Sequence, residues 1–213
     1  MYLPTLNDES DPEVIDRFIR DHGFATLITT AGAAPDVTHL PIELVRTAAG
    51  ERVLEGHLSR ANPQCKDLET GARALIIFSG AHSYISPTWY DHENVPTWNY
   101  LVVHASGTPT LVADDAGLRG MLVRLSSHYE PEGSPPPRFA VETMTPAYYQ
   151  KEASGIVGFR IAVDTIQTKF KLSQNRHNAD HARIVLKLRE RGDENAVQVA
   201  NAMESQRVRE LES

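Results

Sequence analysis

The chain has 213 residues, 41% of them hydrophobic and 23% charged, which is enough for one domain with its own core. Its formal net charge of −7 disfavours non-specific binding to nucleic acids, and its single cysteine excludes a disulfide framework or a multi-thiolate metal site. No apolar run approaches the ~20 residues of a membrane span, and residues 1–8 lack the pattern of a secretory signal. We therefore expect a cytoplasmic protein.

The first part of the sequence predicts one helix followed by short strands. An apolar stripe through residues 12–22 indicates a helix that ends at Gly23. Strand patterns follow at 24–30, 36–45 and 52–58, separated by turns that contain glycine, alanine or proline. Because such short strands are joined by tight turns, we expect antiparallel hairpins arranged as a meander or a barrel.

The rest of the sequence alternates helices with strands. Further helices are predicted at 62–70, 114–127, 145–151, 179–191 and 194–211, and further strands at 73–79, 97–106, 110–113 and 155–165. Gly107 to Pro109 is predicted as a turn, and 130–137 as a proline-rich surface loop. These elements predict an α+β fold in which a C-terminal helical hairpin closes an antiparallel barrel.

Signatures of several enzyme classes are absent. The sequence has no G-x-G-x-x-G after a strand, no Walker loop, no G-x-S-x-G elbow and no H-E-x-x-H helix. Nucleotide hydrolysis, Rossmann dinucleotide binding and zinc proteolysis are therefore disfavoured. No pair of catalytic acid and base can be assigned either, so the catalytic residues are unknown.

Residues 56–64, with the sequence Gly-His-Leu-Ser-Arg-Ala-Asn-Pro-Gln, indicate a place for a phosphate group. A strand ends here and a helix is predicted to begin at Asn62, so helix N–H groups, the Ser59 hydroxyl and the Arg60 guanidinium would together attract an anion. The alternative is ordinary helix capping by Asn62, with Arg60 in solvent. The residues alone leave both interpretations open.

Two further segments carry groups that suit a ligand. Residues 84–100 hold both tryptophans and three tyrosines, which suit a planar aromatic ligand but equally an aromatic core or an oligomer interface. Residues 169–176 hold two lysines, an arginine and three neutral polar side chains, which suit a polar ligand or a solvated loop. His177 and His181 have the spacing of a metal pair on a helix but no evident third ligand, so no metal site is predicted.

Four segments in order resemble the Pai-type FMN-binding negative transcriptional regulators, a branch of the FMN-binding split-barrel proteins. They are Gly56–Gln64, Tyr84–Tyr90, Val95–Tyr100 and Lys171–Arg176, and the start Met1–Pro4 also resembles the family. Phe139 and Phe170 stand where the family pattern leads us to expect tryptophan, and both keep an aromatic ring.

The resemblance implies a six-stranded antiparallel split β-barrel. Together with the predicted elements, this gives a split-barrel domain with peripheral helices in residues 1–177 and a C-terminal helical hairpin packed on the barrel in residues 178–213. The resemblance implies a homodimer with two FMN sites across the interface. The residues implied in FMN binding are Thr38, His39, Leu40, Pro41, His57, Ser59, Arg60, Asn62, Gln64, Trp98, Asn99, Lys171, Ser173, Gln174, Asn175 and Arg176.

The resemblance also implies a function, as a negative transcriptional regulator or a flavin- or redox-sensing protein. The alternative is a flavin-dependent oxidoreductase or a haem-degrading enzyme that uses bound FMN, so whether the protein is an enzyme stays open. Direct DNA binding is not expected, because the chain is acidic and its C-terminal segment has hardly any excess of basic residues.

Overall fold

The computed structural model describes residues 1–130 and 140–212. The predicted proline-rich loop, from its second residue onward, and Phe139 lie outside the described residues. No helix in these two ranges is long and apolar enough to cross a membrane.

The helices form where the sequence predicts them. They are α1 (Pro12–Asp21), α2 (Cys65–Glu69), α3 (Asp115–Tyr129), α4 (Pro146–Ala153), α5 (Asn178–Arg191) and α6 (Glu194–Glu212). The side chain of Asp114 accepts a hydrogen bond of 2.6 Å from the Gly117 N–H and so caps α3. Gly192 has a φ of 74° and ends α5, because a left-handed residue after a helix is tolerated best by glycine.

In the residues that the structure describes, the strands form one antiparallel sheet of seven strands, so the predicted number of six is wrong. They are β1 (Phe24–Thr29), β2 (Asp36–Pro41), β3 (Glu43–Arg46), β4 (Arg52–Ser59), β5 (Ala74–Ile85), β6 (Thr97–Leu111) and β7 (Ile156–Lys171). Their order is β2-β1-β5-β6-β7-β4-β3. The predicted strand 36–45 divides at the buried Ile42, whose N–H donates to the Gly23 carbonyl at 2.8 Å. Its two halves therefore pair with different neighbours, β2 with β1 and β3 with β4.

Gly107 lies inside a continuous strand, so the predicted turn at 107–109 is wrong. A Cβ atom on Gly107 would come within 2.1 Å of the Ala162 carbonyl oxygen. Glycine is thus required here because the backbone of β7 approaches closely. A glycine in a sequence can mark such a close approach as well as a turn. Sequence patterns alone do not distinguish these two uses.

The chain divides into two compact units. Unit 1 comprises residues 1–18, 79–103 and 167–213, and unit 2 comprises residues 19–78 and 104–166. In unit 1, α5 and α6 pack together through buried side chains that include Ile184, Leu188 and Met203. The predicted division into residues 1–177 and 178–213 stays a prediction.

Unit 2 buries the inner face of its strands. Side chains at alternate positions of β1, β4, β5 and β7 are fully or almost fully buried, among them Leu27, Leu54, Ile76, Phe159 and Ile161. Each such side chain contributes about 1.5–3 kcal/mol when it leaves water. The polar loop at the end of β4 is thereby fixed to a rigid sheet.

Candidate functional site

The first candidate region is the loop of residues 59–64 in unit 2, which we call the β4 loop. It connects β4 to α2, a helix of only five residues that begins at Cys65. The backbone N–H of Arg60 donates to Gly155 O at 2.8 Å, that of Asn62 to Ser59 O at 2.9 Å, and that of Cys65 to Asn62 O at 3.1 Å. These N–H groups are therefore used within the fold, and a helix N-terminus is not the source of anion binding expected from the sequence.

Asn62 and Gln64 fix the β4 loop to the sheet. The Asn62 amide donates to Thr38 Oγ1 at 2.9 Å, and its Oδ1 accepts from the Gln64 N–H at 2.9 Å. The Gln64 side chain is only 1% exposed, and its amide donates to Thr29 Oγ1 at 3.1 Å and to Asp36 O at 3.0 Å. Gln64 Oε1 is buried without a hydrogen-bond partner among the described residues. The structure thus brings three predicted site residues together, with their donors directed into unit 2.

Ser59 and Arg60 are the exposed polar residues of the β4 loop. Arg60 Nε donates to Ser154 O and its Nη2 to Ile156 O, both at 2.9 Å. In the described ranges no carboxylate forms an ion pair with Arg60, so its charge is oriented but not neutralised. Ser59 Oγ accepts from the Ala61 N–H at 3.3 Å, which leaves the hydroxyl proton for a ligand. The side chains of Ser59 and Arg60, and not the backbone N–H groups of the loop, are therefore the candidates for binding an anion.

A cavity of about 380 Å³ adjoins Arg60 in unit 2. Asp114 and Asp115 line it together with the apolar side chains of Leu111 and Leu118. Because two carboxylates face this cavity, an anion bound by Arg60 is favoured on the solvent side of the guanidinium.

The predicted ring-contacting stretch on β2 is divided between two faces of the sheet. His39 is exposed, and its Nδ1 lies 3.0 Å from Thr26 Oγ1 on the neighbouring strand. Leu40 is buried, with 4% of its surface exposed, so only its backbone remains for a ligand. Pro41 is half-buried and lies opposite Phe24.

His57 lies two residues before the β4 loop, on the face of β4 that also carries Glu55. Its ring is half-buried, and Nδ1 has no hydrogen-bond partner among the described residues. Burial lowers the pKa of His57, because the charged imidazolium would lose its hydration. Because Nδ1 is itself buried, only the exposed part of this neutral ring remains for a ligand contact.

The second candidate region is the loop of residues 173–176 in unit 1, which we call the β7 loop. Lys171, at the end of β7, donates to Thr97 Oγ1, and its pKa is lowered by burial and by the nearby charges of Lys169 and Arg176. Arg176 donates to Asn94 Oδ1 at 3.1 Å, and its guanidinium carbon lies 5.2 Å from the centre of the Tyr90 ring. In the described parts of the chain, neither Lys171 nor Arg176 is ion-paired with a carboxylate.

Trp98 and Asn99 point to opposite faces of β6. Trp98 is 51% exposed, packs edge-on against His82 and Tyr84, and lines a groove of about 430 Å³ together with Tyr100. Asn99 is 0% exposed. A fully buried amide is not available to a ligand on the surface of this unit, so the expected direct contact of Asn99 with the flavin is not supported.

The other members of the β7 loop differ in how far their side chains are used internally. Gln174 Oε1 accepts from the Leu172 N–H at 2.8 Å, and its amide donates to Phe170 O. Ser173 is buried and donates to Asn99 Oδ1 at 3.0 Å. Asn175 is exposed. Of this loop, Asn175 and Arg176 are the residues best placed to contact a ligand.

Sequence reasoning missed a buried ionic cluster in unit 2. Glu43 and Glu55 lie opposite each other on β3 and β4, and Glu55 accepts from both Arg124 and Arg160. Glu43 pairs with His128 at 3.2 Å, and burial raises the pKa of its carboxyl group. Both glutamates lie on the face opposite the buried Leu44 and Leu54, so the alternation of the strand patterns gave no signal for their burial.

A second acidic cluster lies in unit 1. Asp91, His92 and Asp180 bring one possible metal-ligand atom each within 4.8 Å of the others. Arg183 contacts Asp91 at 2.9 Å and Asp180 at 3.6 Å, so a cation of the protein already occupies the cluster. The pairing of His177 with His181, which the helical spacing had suggested, is not part of this group.

Comparison with known proteins identifies the family. Residues 1–165 match the family described as "Putative FMN-binding domain". The "Protease synthase and sporulation protein PAI 2" of Bacillus subtilis (strain 168) is 34% identical over 204 residues, which cover 96% of this chain and 97% of that protein. The cofactor expected from the sequence, FMN, is the one named by the family's description.

Two solved structures are similar in fold. The FAD and haem binding protein from Mycobacterium smegmatis has a TM-score of 0.62 at 20% identity, over 83% of this chain and 79% of that one. The flavocytochrome Anf3 from Azotobacter vinelandii has a TM-score of 0.61 at 18% identity, over 85% and 78% of the two chains. Since the family match covers most of the chain and the Bacillus relative almost all of it, this chain belongs to the Pai-type family of FMN-binding proteins.

Proposed function

We propose that the chain binds FMN through the exposed Arg60 of the β4 loop and the half-buried Lys171 and Arg176 at the β7 loop, and acts as a homodimer of split-barrel subunits. The observation that carries this proposal is the set of cations without carboxylate partners among the described residues: Arg60 in one loop, and Lys171 and Arg176 at the other. In a chain with a net charge of −7, such cations are a natural place for an anionic ligand.

The side chains present fit the phosphate and the ring of FMN. Ser59 and Arg60 offer a hydroxyl and an oriented guanidinium to a phosphate, which is a strong form of charge-assisted hydrogen bonding. Asn175 and Arg176 offer polar contacts of the kind that a flavin edge accepts or donates, and the exposed part of the His57 ring offers a further contact. Bound FMN supplies redox chemistry by itself, and the residues of the chain bind it, orient it and limit its contact with water.

An exposed apolar face supports a second copy as partner. On one face of β1, β2 and β5, unit 2 carries exposed or half-exposed apolar side chains on both sides of the polar pair Thr26 and His39: Phe24, Ile28, Val37, Pro41, Leu75 and Ile77. Phe24 is 71% exposed and Val37 is 54% exposed. An apolar face of this kind is typical of an interface between subunits, and flavin sites across such an interface follow from the resemblance.

The regulatory role rests on the Bacillus relative, which is named "Protease synthase and sporulation protein PAI 2", and on the resemblance to negative transcriptional regulators. We infer that this chain regulates gene expression through the state of its bound flavin and does not bind DNA tightly by itself. The arginines of α5 support this: Arg183 pairs with Asp91, Arg189 pairs with Glu204, and Arg191 donates to Ser83 Oγ. Arginines that already contact other residues of the chain contribute little to the binding of DNA phosphates.

A flavin-dependent oxidoreductase or haem-degrading enzyme is the second candidate. The groove beside Trp98 supports it, because a cavity of about 430 Å³ lined by aromatic and apolar side chains suits a planar second substrate. Oxidation of NADPH or NADH by the FMN-loaded protein, measured at steady state, separates an enzyme from a sensor without turnover.

The proposal is tested by titrating flavin-free protein with FMN, FAD and riboflavin, together with light scattering. We expect micromolar or tighter binding of FMN, weaker binding of riboflavin and a mass of about twice 23.6 kDa. Binding of FAD with no binding of FMN would reject the cofactor, and a monomer that still holds FMN would reject the shared site.

A further inference from the structure

The β7 loop is held from behind by β6 and by the C-terminal helix. Asn99 Oδ1 accepts from Ser173 Oγ at 3.0 Å, and the Asn99 amide donates to the sulfur of Met203 on α6 at 3.4 Å. One turn further along α6, Arg207 donates to the carbonyl of Arg176 at 2.8 Å. Both ends of the loop are therefore joined to α6, one of them through Asn99.

Ser173 has a backbone conformation that needs this support. Its φ is 61°, and it is the one residue other than glycine with a positive φ in the parts of the chain that the structure describes. The left-handed region is unfavourable for a residue with a Cβ atom, and surrounding contacts must hold such a residue there. The hydrogen bond to the buried Asn99 is the contact directed at the Ser173 side chain.

The backbone conformation of Ser173 determines the path of residues 174–176. After Ser173 the chain closes a turn in which the Arg176 N–H donates to Ser173 O at 3.0 Å. This turn leaves Asn175 exposed and places Arg176 against the Tyr90 ring. If Ser173 relaxed to negative φ, the turn would not close in this form, and Arg176 would lose its fixed place.

We propose that Asn99, Met203 and Arg207 are positioning residues that hold the β7 loop in the shape required for flavin binding. They touch no ligand themselves, and they give α6 a role as a support of the flavin site. This inference rests on the proposed binding of FMN by Arg176.

The test begins with two substitutions of Ser173, because both remove the hydroxyl but only one tolerates positive φ. Ser173→Ala should loosen the loop and weaken FMN binding about tenfold, whereas Ser173→Gly should loosen the loop less and weaken FMN binding less. The state of the loop is measured without flavin, as the rate at which trypsin cleaves after Arg176, with the fragments identified by mass spectrometry. The dissociation constant of FMN is the second measurement.

Asn99→Ala extends the test to the buried support. We expect faster cleavage after Arg176 and about tenfold weaker FMN binding, and we expect both to recover substantially in Asn99→Ala/Ser173→Gly. A cavity at Asn99 that merely destabilised the unit would not be repaired by glycine at position 173. Arg207→Met should also accelerate this cleavage, and Arg209→Met is the matched control, since Arg209 lies on the same helix but pairs with Glu9.

The two measurements separate this inference from the proposed function. If Ser173→Ala and Ser173→Gly are cleaved at the same rate, the loop is not held by its backbone conformation and the inference is overturned, whatever the flavin result. If the alanine variant is cleaved faster but binds FMN as the wild type does, the loop is not part of the flavin site and its positioning role is overturned as well. If the wild type binds no FMN, the proposed function fails, and the inference fails with it as a role in flavin binding.

Discussion

The β4 loop of unit 2 and the β7 loop of unit 1 have similar sequences of polar residues but use them differently. Each follows a long strand, and each contains a serine, an asparagine, a glutamine and an arginine. In the β4 loop the Arg60 guanidinium donates to two backbone carbonyls. In the β7 loop the Arg176 guanidinium rests on an aromatic ring, and its own carbonyl accepts from Arg207.

The comparison shows that a polar motif does not reveal which of its groups remain for a ligand. Gln64 and Gln174 would both be read as ligand contacts, yet both amides are engaged with backbone of their own unit. What remains in each loop is a cation and one or two small polar side chains. A binding site is therefore assigned better from unused donors than from the motif itself.

The largest effect that tests this comparison is expected for Gln64→Leu. The substitution leaves Thr29 Oγ1 and Asp36 O without their buried donor, so unit 2 should lose about 3 kcal/mol of stability. Gln174→Leu should lose about 1 kcal/mol, because this side chain is only half-buried. Urea unfolding followed by circular dichroism measures both, and an equal loss would show that the two glutamines do not differ as described.

The second prediction concerns Arg60→Ala, which should weaken FMN binding about 10- to 150-fold and riboflavin binding only slightly. The substitution removes a charge-assisted hydrogen bond to the phosphate of FMN. Riboflavin has no phosphate, so it makes no such bond to lose. Flavin fluorescence on titration measures both affinities. Lys66→Ala is the control, since Lys66 is an exposed cation on the adjacent α2.

Two other outcomes of that experiment would change the interpretation of the β4 loop. Equal weakening of FMN and riboflavin would mean that Arg60 acts by holding Ser154 and Ile156, as its two hydrogen bonds allow. Unchanged FMN affinity would leave the phosphate to cations elsewhere.

Much of the fold was predictable from the sequence, because its helices carry local signals. The apolar stripe of α1, the cap at Asp114 and the left-handed Gly192 are interactions within a few residues, and the helices that they delimit form close to the ranges predicted. The seventh strand and the continuous β6 were not predictable, because Ile42 and Gly107 act through residues distant in sequence.

The site was predictable only as a set of residues. The resemblance supplies the two loops, but burial separates their members into exposed and internal ones. Asn99 and Gln64 became internal because their partners, Met203 and Asp36, come from other parts of the chain. No pattern within either motif carries that information.

The third prediction uses the charge at the end of β7. Burial and two neighbouring cations lower the pKa of Lys171, so its ammonium should lose its proton at a lower pH than an ordinary lysine does. If Lys171 attracts the anionic flavin, FMN binding should weaken as the pH rises toward 10, and Lys171→Met should bind about fivefold more weakly at pH 7 with less dependence on pH. Titrations at pH 7, 8, 9 and 10 measure this, and identical curves for both proteins would remove Lys171 from the site.

The smallest effect is expected at the end of β4, where His57 occupies the place that corresponds to Lys171. Burial lowers its pKa in the folded state below the ordinary value of 6.5, so below pH 6.5 the unfolded chain binds a proton that the folded chain does not. Stability should therefore fall as the pH drops from 7 toward 5, by well under the ~1.4 kcal/mol per pH unit that a whole proton would give, because the ring is only half-buried.

His57→Phe should lack this part of the slope, and its phenyl ring leaves no unpartnered nitrogen in the sheet. The difference between variant and wild type in urea unfolding at pH 5, 6, 7 and 8 isolates His57, since the other titrating groups are common to both. A difference that is constant with pH would mean that His57 is protonated equally in the folded and unfolded states, and it would contradict the neutral ring on which its contact with the flavin depends.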